Sequence, residues 1–485
     1  MKLGELAGEG HALPDAAARV DITGLTADSR EMGPGMLFAA LPGTLTDGAK
    51  FIPQAVAGGA AAILLTQGSP AGQDLSIPVI EDGDPRRALA LMAASFFASQ
   101  PETVVGVTGT NGKTSVVAFV RQIWQAMGLS AASLGTIGIE TPAGPKPLLH
   151  TTPDPVALHK ALAELSEEGI THLALEASSH GLQQRRLDGV KFAAAAFTNI
   201  SRDHLDYHAN FEDYLEQKLR LFDTLVADGS PVVIDTDCEA ADKFLEVAQA
   251  RGLPALTVGR SGETMKLVET KREGFAQQLS ILHQGKTYPV TLPLVGGFQG
   301  ANALVAAGLC MACGGQAAEV LACLSSLSGA RGRLEHAGTS RAGVPVFIDY
   351  AHTPDALATA LNALRPYVEN RLVVVFGCGG DRDRGKRPQM GKIASANADL
   401  VFVTDDNPRG EDPAAIRAQI MKQAPGAQEI GNRREAIETA ISQLKSGDVL
   451  LVAGKGHETG QTIAGKVIPF CDHEAVASAL GESSI

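Results

Sequence analysis

The run Val104-Val105-Gly106-Val107-Thr108-Gly109-Thr110-Asn111-Gly112-Lys113-Thr114-Ser115 carries the clearest chemistry in this chain. An apolar, strand-like stretch ends in a glycine-rich turn, and Gly-Lys-Thr then opens a helical pattern. Such a turn suits the phosphates of a nucleoside triphosphate, because glycines let backbone N–H groups close on the anion with no Cβ in the way. Lys113 supplies a point charge for the terminal phosphates, Thr114 offers a hydroxyl to Mg²⁺, and the helix that follows directs its positive end at the anion. Val107 stands where the full phosphate-loop pattern has its first glycine, so the loop is the shorter form Gly109-x-x-Gly112-Lys113-Thr114. The alternative is a structural glycine turn before a helix. The order strand, loop, Lys-Thr, helix favours the nucleotide site.

Other polar clusters follow buried-strand patterns. Glu176-Ala177-Ser178-Ser179-His180-Gly181 puts a carboxylate at a strand end, where it suits Mg²⁺. An N-cap cluster for the next helix is the competing reading, and both can hold. Asn199-Ile200-Ser201-Arg202-Asp203-His204-Leu205-Asp206-Tyr207-His208 is dense enough in ionisable groups for a metal or phosphate site, though a surface loop can look the same. Lys218, within Tyr214-Leu215-Glu216-Gln217-Lys218-Leu219, reads as an ordinary helix-surface lysine. Four further segments each follow an apolar run: Asp349 to Asp355, Gly377 to Arg387, Thr404 to Arg409 and Gly454 to Glu458. Any one could be a solvated turn. Four on one sheet edge point to a ligand, and Arg beside Asp and Glu suits a zwitterion with both amine and carboxylate.

The elements needed to position these groups fit an α/β chain. At 485 residues it exceeds one core. It is 45% apolar and 20% charged, and no apolar run reaches the ~18–20 residues of a membrane span. Met1-Lys2-Leu3-Gly4-Glu5-Leu6 lacks the pattern of a secretion signal, so a cytoplasmic location is expected. A net charge of −13 argues against general nucleic-acid binding and requires local cations for any anionic ligand. Cys310-Met311-Ala312-Cys313 is the one CxxC. It sits in an Ala-rich helical pattern and reads as buried core thiols, and no disulfide is expected.

Residues 1–100 read as a small α/β unit closed by a helix from Ala88 to Ser99, which Gln100-Pro101 breaks. Residues 101–330 alternate strands and helices, and His172–Ala177 and Phe192–Phe197 are runs of the fully buried, parallel-sheet kind. Residues 255–295 alternate polar and apolar and suggest an antiparallel extension. Residues 331–485 form a second α/β series with strands at Val344–Asp349, Arg371–Phe376, Leu400–Thr404 and Val449–Ala453. Ligands bind at the carboxyl ends of such strands.

Taken together, Gly-Thr-Asn-Gly-Lys-Thr at 109–114, Glu-Ala-Ser-Ser-His-Gly at 176–181, Ser-Arg-Asp-His-Leu-Asp-Tyr-His at 201–208, Asp-Tyr-Ala-His-Thr-Pro-Asp at 349–355 and Asp-Asn-Pro-Arg at 406–409 resemble the Mur ligase family. Within it they are most similar to the members that add meso-diaminopimelate. The resemblance spans nearly the whole chain, from Thr26 to Glu458. It implies three domains: a small N-terminal α/β domain for the uridine nucleotide (1–100), a central P-loop parallel sheet for ATP (101–330) and a C-terminal Rossmann-like domain for the amino acid (331–485). It also implies the reaction, in which ATP phosphorylates the γ-carboxylate of D-glutamate in UDP-MurNAc-L-Ala-D-Glu and the amine of diaminopimelate displaces phosphate.

Roles carry over by position. Gly109, Thr110, Asn111, Gly112, Lys113, Thr114, Ser115, Asn302, Arg333 and Asp349 match the ATP site. Ala27, Ser29 and the turn Thr44-Leu45-Thr46 match the uridine site, the turn replacing a His-Gln-Ala of some relatives. His150 (Asn in some relatives), Thr151, Thr152, Ser178, Gln184 and Arg186 match muramoyl-peptide contacts. Arg382, Asp406, Asn407, Pro408, Arg409, Gly454 and Glu458 match the diaminopimelate site. Lys113, Lys218 and His204 are the catalytic matches. Thr114, Glu176, His204 and Lys218, carbamylated in the family, are the matches for Mg²⁺. Gln299 stands where many relatives have a further Asn. The expected partners are the three small-molecule substrates, with no nucleic acid and no membrane span, and the chain is expected to act as a monomer. The rivals are an L-lysine-adding sibling, a folylpolyglutamate synthetase, a P-loop kinase or motor NTPase, and a non-catalytic nucleotide-binding module.

Overall fold

The structure is a computed structural model of the 485-residue chain. It describes every residue except Thr44, Leu45, Leu149, Arg202, 204–206 and 482–485. His204 and most of the 44–46 turn therefore lie outside the described residues. The chain has a three-domain α/β fold, and its contacts divide it into two units: residues 1–265 with 305–320, and residues 266–304 with 321–485. Among the described residues no helix is long and apolar enough to cross a membrane.

The first unit contains two sheets. The N-terminal one is four-stranded and parallel, in the order Leu25–Thr26, Leu37–Ala39, Ala62–Thr66, Val79–Asp82. The helix Pro85–Phe97 closes it, capped by Asp84 at one end and stopped at Ala98, whose φ is +57°. Arg185 donates to Asp84 at 2.8 Å and ties this helix start to the chain beyond the next sheet.

In that next sheet the strand order is Ala255–Gly259, Val232–Asp235, Ala194–Phe197, Thr103–Thr108, His172–Glu176, Ala131–Gly135, Gly138–Thr141, Gly144–Lys146. The first six strands are parallel, and the last two form an antiparallel hairpin edge. Val104, Val105 and Val107 are completely buried, as a strand covered on both faces must be. The helix Lys113–Ala126 buries Val116, Val117, Phe119, Val120, Ile123 and Trp124, so its anchoring is apolar. The strand carrying the glycine loop lies between the strand that ends in Glu176 and the strand that leads to Asn199. The chain runs from it to one side first and returns to build the other, which makes this the crevice where open sheets bind ligands.

In the second unit, Met265–Glu273, Ala276–His283 and Lys286–Leu292 form an antiparallel meander, as the alternation over 255–295 anticipates. The exception is Ala255–Gly259 at the start of that stretch, which pairs in parallel with Val232–Asp235. Gly460–Ile463 pairs with Lys466–Pro469 in a separate hairpin, and a six-stranded sheet runs Glu335–Thr339, Pro345–Asp349, Val449–Ala453, Leu372–Phe376, Leu400–Val403, Gln428–Glu429. Only its first strand is antiparallel. The four anticipated strands are neighbours in it, so their polar C-terminal segments emerge from one edge.

Candidate active site

The glycine loop is held open by its neighbours. Gly112, at φ +87°, turns the chain into the helix that Lys113 begins, a conformation costly for residues with a Cβ. A Cβ on Gly109 would sit 2.0 Å from the Thr198 hydroxyl, so the loop packs directly on the next strand end. Thr198 Oγ1 donates to the Asn111 carbonyl at 2.6 Å, and Asn199 Oδ1 accepts the Asn111 N–H at 3.0 Å. The Thr110 hydroxyl bonds Tyr214 at 2.9 Å. Lys113 Nζ donates to the carbonyls of Gly109 and Thr110, at 2.9 and 2.8 Å.

Lys218 departs from its helix-surface reading. It lies on the helix Phe211–Arg220 and is 1% exposed, with Nζ donating to the Gly109 carbonyl at 2.6 Å and lying 4.4 Å from the Tyr214 ring centre. Burial and the charge of Lys113 hold its amine well below the usual lysine range. Sequence spacing gives no sign of this, because the partner is far away in the chain.

Glu176 ends its strand 1% exposed. Its carboxylate accepts the Thr136 N–H at 2.8 Å and the Thr136 hydroxyl at 3.1 Å. The Thr136 hydroxyl also meets Thr151 at 3.1 Å. Thr152 donates to the Glu176 carbonyl at 2.9 Å and meets Ser178 Oγ at 3.0 Å. Ser178 accepts the Gly181 N–H, so the N-cap reading also holds. Arg186 donates to the Thr152 carbonyl at 2.6 Å and to Gln184 Oε1 at 2.8 Å. Thr151, Thr152, Ser178, Gln184 and Arg186 thus form one network beside Glu176. His150 is exposed.

The 201–208 motif knits onto this network through residues not singled out individually above. Tyr207 accepts from Gln184 at 2.8 Å and packs 3.9 Å from the His180 ring. His208 bridges Ser179 at 3.0 Å and Asp213 at 3.3 Å. The Thr114 hydroxyl and the Glu176 carboxylate are hard oxygen donors of the kind Mg²⁺ takes, and the residues present fit that ion. Among the described residues no group of three or more His, Cys, Asp and Glu forms a cluster able to hold a metal.

Ala27 is exposed and Ser29 half-buried just after the strand Leu25–Thr26, with the Ser29 hydroxyl 3.0 Å from Gln54 Oε1.

The second unit holds the other matched residues. Asn302 donates to Gln299 Oε1 at 3.2 Å, and Gln299 reaches the Arg333 carbonyl at 3.5 Å. The variant glutamine therefore joins two of the matched positions. Asp349 accepts the Leu334 and Ala351 N–H groups at 2.6 and 2.7 Å, and Arg333 lies over the Tyr350 ring at 5.0 Å. Burial lifts the Asp349 carboxyl to about 6, against the pull of Arg333 and those two N–H groups.

The sheet-edge loops converge. Asn407 Nδ2 donates to Glu458 Oε2 at 2.8 Å. Lys455, 0% exposed, donates to the same oxygen at 2.8 Å and to the Gly460 carbonyl at 2.7 Å. Asp406 is buried beside Gly454, where a Cβ would come within 2.7 Å of its carboxylate. Arg409 has φ +53°, held there by bonds from its N–H to the Thr462 carbonyl (2.9 Å) and from the Ala464 N–H to its own carbonyl (2.7 Å). Its guanidinium donates to the Gly380 carbonyl at 2.9 Å. Pro408, just before it, is buried.

The cations of the 377–387 loop divide. Arg387 is fully buried against Glu411, which Arg384 also meets at 3.1 Å, and Lys386 donates to the His352 carbonyl at 2.9 Å. Three of the four are thus engaged by the protein, and Arg382 is exposed.

Comparison with known proteins agrees with this geometry. Residues 21–97 match the Mur ligase family catalytic domain, 107–310 the Mur ligase middle domain and 332–456 the Mur ligase glutamate ligase domain. The chain is 55% identical over 484 residues to the UDP-N-acetylmuramoyl-L-alanyl-D-glutamate–2,6-diaminopimelate ligase of Bradyrhizobium diazoefficiens, with 99% of each chain covered. A solved structure of a ligase with that same name matches with a TM-score of 0.73 at 32% identity, covering 99% of each chain. A MurF ligase from Thermotoga maritima in complex with ADP shares the fold, with a TM-score of 0.60 at 18% identity over 96% of this chain and 98% of that one. The chain belongs to the Mur ligase family.

Proposed function

We propose that this protein is the ATP-dependent ligase that joins meso-diaminopimelate to the γ-carboxylate of D-glutamate in UDP-MurNAc-L-Ala-D-Glu, in cytoplasmic peptidoglycan precursor synthesis, acting as a monomer. The domains divide near residues 100 and 330, into uridine-nucleotide, ATP and amino-acid domains. The observation that carries the reading is the buried Lys218 amine on the Gly109 carbonyl, because a plain phosphate loop has no use for a second lysine at its base.

A carboxylate is a poor electrophile, so it is activated first. Its oxygen attacks the γ-phosphorus of ATP, ADP departs, and the acyl phosphate carries a leaving group. The amine of diaminopimelate then attacks the acyl carbon and phosphate leaves. The N–H groups of residues 109–115 and the Lys113 ammonium offset charge on the transferring phosphoryl group. Asn302, Arg333 and Asp349 hold adenine, phosphate and ribose. Thr151, Thr152, Ser178, Gln184 and Arg186, with His150, orient the muramoyl dipeptide, and Ala27 and Ser29 meet the uridine. Thr114, Glu176, His204 and a carbamylated Lys218 are the residues that would hold Mg²⁺, which supplies positive charge against the phosphates. Carbamylation turns the lysine into a carboxylate-ended ligand, and the burial of Lys218 suits a group of fixed position. Arg382, Asp406, Asn407, Pro408, Arg409, Gly454 and Glu458 receive diaminopimelate, Arg409 facing its distal carboxylate and Glu458 its ammonium.

The test is phosphate release with ATP and UDP-MurNAc-L-Ala-D-Glu, comparing meso-diaminopimelate with L-lysine. Release that needs both the dipeptide nucleotide and meso-diaminopimelate is expected. Equal release with lysine would favour the lysine-adding sibling, and release without any amino acid a P-loop kinase or NTPase.

A further inference from the structure

Away from these groups, the second unit contains a cysteine, a histidine and a carboxylate in series. His473 Nδ1 lies 3.7 Å from Cys471 Sγ, and His473 Nε2 lies 2.7 Å from Glu335 Oε2. Arg331 NH2 lies 3.8 Å from the same sulfur. Cys471 is also the residue that precedes the nine-residue helix Asp472–Leu480. A nucleophile, a base and a group that orients the base, with a guanidinium alongside, is the arrangement that stabilises a thiolate. We propose that Cys471 is a site of oxidative modification, a thiolate that reacts with hydrogen peroxide under the control of His473, Glu335 and Arg331.

Electrostatics follow from that geometry. Burial opposes ionisation of Cys471. The hydrogen bond and charge of His473 and the Glu474 N–H outweigh it and draw the thiol down to about 7. Burial likewise opposes protonation of His473, and Cys471 and Glu335 overcome it, raising the imidazole to about 9. At neutral pH about half of the thiol is ionised, beside a protonated imidazole. Cys313 and Cys378 go the other way, pushed up to about 12 by burial. The groups that face the pair are Glu335 against His473, Arg331 against Cys471, and His457, which feels the charge of His473 and is itself held down to about 4 by burial and neighbouring cations.

The step balances. Cys471 Sγ attacks one peroxide oxygen and forms an S–O bond, and the O–O bond breaks. The sulfur is oxidised to sulfenic acid, the peroxide is reduced, and the departing hydroxide takes a proton from solvent or from His473. Cys471 is 3% exposed, so a small oxidant suits it and a bulky one does not. Glu335 Oε2 also accepts the Gly332 N–H at 2.7 Å, which links the sulfur to the backbone one residue before Arg333.

Exposure and chemistry predict different orders of reaction. Cys238, Cys313 and Cys323 are more exposed than Cys471. At neutral pH a thiol of pKa about 7 is about half ionised against about 3% for an ordinary one, an advantage of about 15-fold that lower nucleophilicity trims to about 3-fold. The experiment treats the folded protein with hydrogen peroxide, quenches with catalase, unfolds it in dimedone and reads each cysteine peptide by mass spectrometry. Cys471 is expected to react at least about 3-fold faster than the other five, and His473→Asn to remove that lead. Faster reaction at Cys238, Cys313 or Cys323, or an undiminished Cys471 rate in folded His473→Asn, overturns the proposal. Glu335→Gln serves if His473→Asn fails to fold. The readout uses no ligase substrate, so its failure is separate from failure of the ligase reading.

Discussion

Lys218 Nζ donates to the Gly109 carbonyl at 2.6 Å, across 109 positions of sequence. The helix that brings it there presents Glu212 and Glu216 outward and Tyr214, Leu215 and Lys218 inward. A fully buried lysine is rare unless it is paired or has a task. Its bond to the base of the phosphate loop makes it a partner of the loop's geometry before any nucleotide arrives.

Lys218→Ala is therefore expected to lower kcat by at least about 10²-fold, the scale for losing one charged group that acts on phosphoryl transfer. Truncation also leaves a cavity, so Lys218→Met, which keeps the stem, separates packing from chemistry. Both variants should be nearly inactive in phosphate release, with partial recovery of Lys218→Ala in short carboxylates. Near-full activity in Lys218→Met would remove the residue from the mechanism.

Lys113 donates to two loop carbonyls that water can also serve, because its side chain is only partly buried. Lys113→Ala should cost little stability and at least about 10³-fold in turnover, since the charge on the terminal phosphates goes unmatched. Thermal unfolding and phosphate release on the same sample check the pair of expectations. A folded Lys113→Ala variant with near-wild-type release would refute the phosphate-loop assignment.

Parallel strands buried on both faces are apolar runs, which is why Thr103–Thr108, His172–Glu176, Leu372–Phe376 and Val449–Ala453 were legible from sequence. So was the shared edge of the C-terminal sheet, on which the loops after Pro345–Asp349, Leu372–Phe376, Leu400–Val403 and Val449–Ala453 lie. Short or edge strands were not: Leu25–Thr26 and the hairpin Gly138–Thr141 with Gly144–Lys146 carry little pattern. Buried cations were invisible for a different reason. Lys218, Lys455 and Arg387 are each satisfied by carbonyls or carboxylates distant in sequence, or by a short turn whose geometry spacing does not reveal. The sequence of the 377–387 loop shows four cations close together and not their partners, whereas Glu411 and the His352 carbonyl hold three of the four.

Arg433 and Asp472 are both completely buried and joined by two bonds of 2.7 Å. The arginine also donates to the Ala453 carbonyl at 2.9 Å, at the end of a central strand. Arg433→Met leaves Asp472 charged and unpaired in the interior, a change that costs about 3–5 kcal/mol. A lowered urea midpoint is expected, and Asp472→Asn should lower it as well, because it leaves the buried Arg433 guanidinium charged with no carboxylate beside it. A midpoint unchanged in Arg433→Met would show that the pair adds nothing.

On the proposed function, amino-acid choice rests on Arg409. Its backbone is held in the left-handed region, which costs a non-glycine residue about 1–3 kcal/mol, and a bond from its N–H to the Thr462 carbonyl and one from the Ala464 N–H to its own carbonyl keep it there. Strain maintained this way is expected where a side chain must point in one direction. The guanidinium uses one arm on the Gly380 carbonyl, leaving geometry for a two-pronged bond to the distal carboxylate of meso-diaminopimelate. Glu458 is fixed by Lys455 and Asn407 through one oxygen, Oε2, and on the proposed function its other oxygen takes the substrate ammonium. L-Lysine has the ammonium and lacks the carboxylate. Arg409 is only half-buried, so water partly serves it when lysine binds, and the penalty is mainly the missing bond. A charged bond worth about 1.5–3 kcal/mol translates to a preference of about 10- to 100-fold in kcat/KM for meso-diaminopimelate. Arg409→Ala should erase most of that preference by harming diaminopimelate, with little gain for lysine, and Arg409→Lys should restore only part because an ammonium cannot make the two-pronged bond. Comparable kcat/KM for the two amino acids in the unmodified protein would sink the assignment and leave the lysine-adding reading in its place.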